Sequence, residues 1–317
     1  MVAAAAGLFL SGACAPAAVT HSSAGCTRTL KAGHGDLNRF VRHLRPGAVG
    51  CLRGTFHGSL AIRNGGFRLR AAPGSRAKID GMLNISRTAH DVVLARLVLR
   101  SSTTPNVRIN GSRITIRRSV ITNGHTGICV TVGGGFERWG IAHGVALVHN
   151  RIHACGRLPA TNHDHGIYVE GATATVIAGN LIYDNADRGV QFYPNAQGSI
   201  VTNNVIDGNG EGVSFGGESA GGEYHNAYAS SGNVVSRNII SNSRERFNVE
   251  AWWGGPIGVS NVAKDNCLWN GAQGNVDLLA GGFLALANVV AKPDFVDAAA
   301  GDFRLRAGSP CAGMGPG

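Results

Sequence analysis

GNLIYDN (179–185) returns 24 residues later as NNVIDGN (203–209). In both, an asparagine is followed by two apolar residues and then a polar turn. Related segments are HNRIHAC (149–155), RNIISNS (237–243) and DNCLWNG (265–271), with Ser119 of RSVITN (118–123) in the same column as Asn150, Asn180, Asn204, Asn238 and Asn266. A second pattern follows each of these. TGICVTV (126–132), HGIYVEG (165–171), RGVQFYP (188–194), EGVSFGG (211–217), FNVEAWW (247–253) and GNVDLLA (274–280) alternate apolar and polar residues, the period of a strand with one buried face. The inward set is then Ile128 and Val130, Ile167 and Val169, Val190 and Phe192, Val213 and Phe215, Val249 and Ala251, Val276 and Leu278.

An interval of 24 residues is too short for a strand-helix-strand crossover plus a further element, but it holds three short strands and their turns. This predicts an all-β fold, a right-handed parallel β-helix in which each repeat is one coil and longer intervals carry inserted loops. Stacked asparagine amides at a bend bond one another and the turn backbone, which assigns that column to structure. The Leu-x-x-Leu-x-Leu pattern of a leucine-rich repeat occurs once, at residues 94–99, and does not recur with the period of the coils. The composition agrees, because 47 glycines suit many tight turns. Upstream, GDLNRFVRHLRPG (35–47) predicts a short capping helix that starts at Asp36, ends before Pro46-Gly47 and covers the first coil. One domain is expected over residues 26–317, as a monomer.

Residues 1–160 carry 21 Lys+Arg against 4 Asp+Glu, and residues 161–317 carry 8 against 15, so the halves are +17 and −7. A basic half attracts polyanions, although Arg63, Arg68, Arg70, Arg117 and Arg118 also suit solvated strand positions. Nucleic acid is disfavoured, since no recognisable module accompanies the charge. The Ala-rich start MVAAAAGLFLSGACAPAAVT reads as an export signal or anchor over residues 1–25, with lipidation of Cys14 as a second option; no later stretch is apolar enough to span a membrane. Cys26, Cys51, Cys129, Cys155, Cys267 and Cys311 remain, an even set that suits disulfides in a secreted chain. Neighbour pairing would staple both ends of an elongated fold, with Cys129 on an outward position so that a bond to Cys155 borders the exposed face.

These repeats, the strand PGAVGCLRGTF after the cap, and the ending KPDFVDAAAGDFRLRAGSPCAGMG (292–315) resemble the right-handed parallel β-helix proteins of the pectate-lyase-like superfamily. The resemblance covers nearly everything after about residue 27. That group contains lyases, glycoside hydrolases, epimerases and non-enzymatic proteins, so it implies fold before activity.

Alternation turns Tyr168 and Glu170 outward, with Gln191 and Tyr193, Ser214 and Gly216, and Glu250 and Trp252 in the same columns of neighbouring coils. Thr126, His165, Arg188 and Glu211 are expected to stack just before them, about 4.8 Å apart per coil. In related lyases and epimerases this sheet removes a proton beside a uronate carboxylate, which requires neutralisation of that carboxylate and a base within reach. The resemblance thus implies an acidic polysaccharide substrate. Arg188 and protonated His165 would neutralise, Tyr168 or His165 would transfer the proton, and Gln191, Tyr193, Glu250 and Trp252 would hold sugar. Asp164, Glu170 and Glu211 are candidate ligands for calcium. The W-I-D-H, N-T-D and D-D motifs of related enzymes are missing. A hydrolase using Glu170 with Glu211 and a non-catalytic binding solenoid are the alternatives. His153 and His163 read as turn or loop residues.

Overall fold

A computed structural model of the chain describes residues 25–316. The export or anchor segment, with Cys14, lies outside the described residues except for Gly25. The chain winds as a parallel β-solenoid in which the central coils each contribute three strands. Residues 188–197, 200–202 and 205–207 pair in parallel with 211–218, 234–236 and 239–241 of the next coil. The interior is a single continuous apolar column, from Leu30 and Phe40 at one end to Ala263 and Phe283 at the other. Among the described residues no helix is long and apolar enough to cross a membrane.

The asparagine column forms as the sequence predicts. Asn180 Nδ2 donates to Asn204 Oδ1 at 2.9 Å, Asn204 Nδ2 to Asn238 Oδ1 at 2.9 Å, and Asn238 Nδ2 to Asn266 Oδ1 at 3.0 Å. Each Oδ1 also accepts the backbone N–H of the preceding asparagine, so buried donors at the bend are satisfied coil by coil. The helix α1 (Leu37–Arg42) is shorter than its sequence window. Asp36 caps it by accepting from Arg39 N at 2.6 Å, and Leu37, Phe40 and Val41 close the first coil.

Disulfides join Cys26 to Cys51, Cys129 to Cys155 and Cys267 to Cys311. The position expected for Cys129 is corrected: it and Cys155 are fully buried within the main core. Cys129 sits at the corner just before β2 (Val130–Val132), where the period of two breaks, so Cys129 and Val130 both turn inward and Ile128 is only half-buried. The register slips accordingly. Val130, not Ile128, pairs with Ile167, which removes Thr126 from the His165 column. Replacing both cysteines by alanine opens a covalent link spanning 26 residues inside the core and is expected to cost about 2–4 kcal/mol, read as a fall in denaturant midpoint. Leu278 is also corrected. It is 53% exposed because the last coil meets the previous one only through a lone Val249–Val276 bridge at this point.

Candidate functional site

The strands that carry the candidate residues are β1 (Val107–Ile109), β2, β3 (Ile167–Thr173), β4 (Arg188–Gln197), β5 (Glu211–Glu218) and β6 (Val249–Trp253). Their register lines up Arg108, Thr131, Tyr168, Gln191, Ser214 and Glu250 as one column, while the intervening Ile167, Val169, Val190 and Phe192 point into the core. Arg188 pairs with Glu211 in the column before it. A third column holds Tyr193, Gly216 and Trp252, with Gly216 the register partner of Trp252. A Cβ on Gly216 would lie 2.8 Å from Tyr193 Cδ2, so glycine is what lets the Tyr193 and Trp252 rings approach to 5.9 Å across the coil between them. Tyr168 extends this aromatic line, 6.4 Å from Tyr193.

Insertions wall the ribbon on both sides. At the start of the strands, residues 156–164 fold against Asp187 and Arg188. Arg157 Nε donates to Asp164 at 2.5 Å, the backbone N–H groups of Asn162 and Asp164 donate to Asp187, and Arg188 Nη1 donates to Asn162 O. At the other end, the short helix α2 (Phe136–Trp139) meets the 218–230 insertion. Phe136 stacks on Tyr224 at 5.0 Å, and Glu137 accepts from Tyr228 OH and pairs with His225. Glu170 joins the two insertions by accepting from Gly135 N at 2.6 Å and from Tyr224 OH at 2.5 Å.

His165 is buried and its ring edge meets Tyr168, centroids 5.2 Å apart. Burial, helped by Arg188 and His163, holds its pKa well below the ordinary imidazole value. The expected imidazolium is therefore corrected to a neutral ring. Burial, with Glu170 and Glu223 adding, raises Tyr168 well above the ordinary phenol value and keeps it protonated. Arg188 is already engaged, with Nε 2.9 Å from Glu211 Oε2, and Arg246 reaches both Glu211 and Glu250. Burial is the largest influence on Glu211 and pushes it up, against the opposing pull of Arg188.

The calcium ligand set is likewise corrected. Asp164 is bound by Arg157, Glu170 by Gly135 and Tyr224, and Glu211 by arginine, and no group of three His, Cys, Asp or Glu among the described residues is placed to hold a metal ion. Calcium needs six or more converging oxygens, which these acids do not supply as a set. His163 is exposed, and His153 stacks on Tyr183 at 4.9 Å, away from the ribbon.

Burial pushes Glu170 up to about 7, with Tyr224 and Gly135 pulling it down. A carboxyl raised in the fold stabilises fully below its unfolded value and loses that contribution as pH rises through the folded one. Relative to Glu170→Gln, which has no proton to lose, the wild type is expected to lose about 3 kcal/mol of stability between pH 4.5 and 8. Denaturant melts of both proteins across that range check this; a constant difference contradicts it.

One pattern stands out in the unsatisfied groups. Ten buried side-chain nitrogen or oxygen atoms of described residues lack a well-aligned hydrogen bond. Two of them, Arg188 Nε and Glu211 Oε2, form an ion pair with each other, and five others lie on this ribbon or its walls: Arg108 Nε, His165 Nδ1, Glu211 Oε1, Ser214 Oγ and Glu218 Oε2. Each such group costs roughly 1–3 kcal/mol when buried unpaired, so their concentration marks a surface arranged for something other than its own stability. Arg108, Arg246, Glu218, Glu223 and Tyr224 escaped the sequence reading. Only Arg108 had a usable signal, the apolar-polar-apolar run VRI (107–109).

Residues 83–263, more than half of the chain, match the family described as the right handed beta helix region. The chain belongs to this β-helix family. No curated protein matches it. Similar folds include the alginate lyase from Paenibacillus sp. str. FPU-7, at 16% identity and a TM-score of 0.53, covering 84% of this β-helix and 100% of that chain. Pectate lyase Pel9A aligns at 12% identity and a TM-score of 0.53 over 91% of both chains. PfbA, a surface adhesin of Streptococcus pneumoniae, aligns at 12% identity and a TM-score of 0.52 over 76% of this β-helix and 68% of that chain. At such identities the likeness concerns the fold.

Proposed function

We propose that this β-helix is a secreted lyase that cleaves an acidic, uronate-containing polysaccharide by β-elimination. The observation that carries this reading is the clustering of unpaired buried polar atoms around a neutral His165 and a protonated Tyr168 on one walled ribbon. The two groups have opposite proton status, as a base and an acid acting on one sugar need. In the proposed step His165 Nδ1 takes the proton from the carbon bearing the uronate carboxylate. The electron pair left behind forms the ring double bond, the glycosidic carbon–oxygen bond breaks, and Tyr168 OH gives its proton to the departing oxygen. His165 is buried beside the 156–164 segment, so in this reading the sugar reaches it as that segment yields. Gln191 is the register partner of Tyr168 and would bond the carboxylate, and Tyr193 and Trp252 would offer ring faces to neighbouring sugars.

Incubation with pectate, alginate and glycosaminoglycans, with calcium present, tests the reading. New unsaturated ends absorbing in the ultraviolet support it. New reducing ends without that absorbance point instead to hydrolysis, and binding without either product points to a carbohydrate-binding solenoid.

A further inference from the structure

Upstream of Tyr168, the ribbon column passes through Thr131 to Arg108, two strand spacings or about 10 Å away. There a cavity of about 340 Å³ opens, lined by Asn84, Ser86, Arg87, Arg108, Asn110, Arg138 and Trp139. The Arg108 guanidinium carbon lies 4.1 Å from the Trp139 ring centroid, and that of Arg138 lies 5.5 Å from it. Stacking occupies the flat face of a guanidinium and leaves its in-plane N–H donors free for a two-oxygen acceptor. Arg108 Nε is buried without a partner. None of the three arginines forms a side-chain ion pair among the described residues, whereas Arg113, Arg157, Arg188 and Arg246 all do. The acid that influences Arg108, Glu170, acts at longer range.

The cavity is also held in shape. Asn110 Nδ2 donates to Gly134 O at 3.2 Å and to Gly140 O at 2.8 Å, gripping both ends of the α2 insertion, and Glu170 accepts from Gly135 N between them. Gly135 has a φ of +60°, and a Cβ there would meet Trp139 at 2.6 Å, so glycine lets the indole lie flat under Arg108. A rigid pocket with three unneutralised guanidiniums and one buried orphan donor is matched by a planar anion rather than by a neutral sugar.

We propose that the Arg87, Arg108, Arg138 and Trp139 cavity binds a carboxylate of the polysaccharide, on a sugar flanking the one that reacts at Tyr168. The inference rests on the reading of the ribbon as a uronate groove, and it fixes the end toward which the polymer extends. Arg108 and Arg138 are binding residues here and take no part in bond breaking.

The test is calorimetric titration of the full protein with tetragalacturonate, tetramannuronate and carboxyl-reduced tetragalacturonate. At least one uronate oligomer should bind, and the carboxyl-reduced oligomer should bind about tenfold or more weakly. Arg108→Gln and the exposed Arg138→Gln should each weaken uronate binding about tenfold with an unchanged melting temperature, while Arg39→Gln on α1 has no effect. Equal binding of charged and reduced oligomers, or variants within about twofold of wild type, overturns the site. Excess inorganic sulfate that fails to compete supports a carboxylate pocket; full competition by sulfate overturns selectivity for carboxylate. The two readings fail separately. Uronate binding lost in Arg108→Gln without any unsaturated product keeps the pocket and rejects the lyase, whereas unsaturated product with an unchanged KM in Arg108→Gln keeps the lyase and rejects the pocket.

Discussion

His165→Gln and Tyr168→Phe are each expected to lower kcat on the cleaved uronate polymer by about 10²–10⁴-fold, the range for loss of one proton-transfer group. KM should change little, because the interactions removed are made in the transition state. Phenylalanine keeps the ring that meets His165 at 5.2 Å and Tyr193 at 6.4 Å, so the fold and the aromatic line should persist. The pH profile adds a second readout. His165 must be neutral to accept a proton, and its pKa lies well below the ordinary imidazole value. The acidic limb of kcat/KM should therefore fall below about pH 6.5 and vanish in His165→Gln. Full activity in either variant, or an acidic limb above that value, contradicts the assignment.

Asn204→Ala is expected to be the most destabilising single change outside the apolar core, at about 3–5 kcal/mol. Its Nδ2 donates to Ile177 O, Thr202 O and Asn238 Oδ1, and its Oδ1 accepts from Asn180 N and Nδ2. Alanine removes all five bonds in a fully buried bend and leaves the Asn180 N–H without a partner, while Asn238 Oδ1, Asn180 Nδ2 and Thr202 O each keep one other bond. Asn288→Ala is the control. Asn288 ends the same ladder, half-buried, accepting from Asn266 and donating to Ala263 O, so its loss should cost less. Denaturant midpoints with unchanged slopes measure both. Equal losses would mean that the ladder does not concentrate stability in the middle of the solenoid.

The asparagine column, the inward pairs from Ile167 to Phe215 and the Asp36 cap were legible because each follows from a local period or a single capping bond. Cys129 misled because a corner, unlike a strand, allows adjacent residues to point the same way, and alternation has no signal for where corners fall. The columns of Tyr168, Gln191 and Glu250 could be read by stacking repeats, but their surroundings could not. Glu170 looks like a metal ligand in the run DHGIYVEG and instead ties Gly135 to Tyr224, 54 positions away. His165 looks like a cation beside Asp164 and is held neutral by its burial, while Asp164 turns toward Arg157 in the 156–164 insertion. Both errors come from loops. A repeat fixes where the coils lie and says nothing of how insertions between them fold back.

The most direct test of the ribbon as the working surface is a crystal structure of the His165→Gln protein with a bound uronate oligosaccharide. A sugar is expected at Tyr168 with its glycosidic oxygen within hydrogen-bond reach of the phenol, and a neighbouring carboxylate on Arg108. A sugar bound elsewhere, such as the cavity lined by Arg237, Phe303 and Met314 on another face, would contradict it.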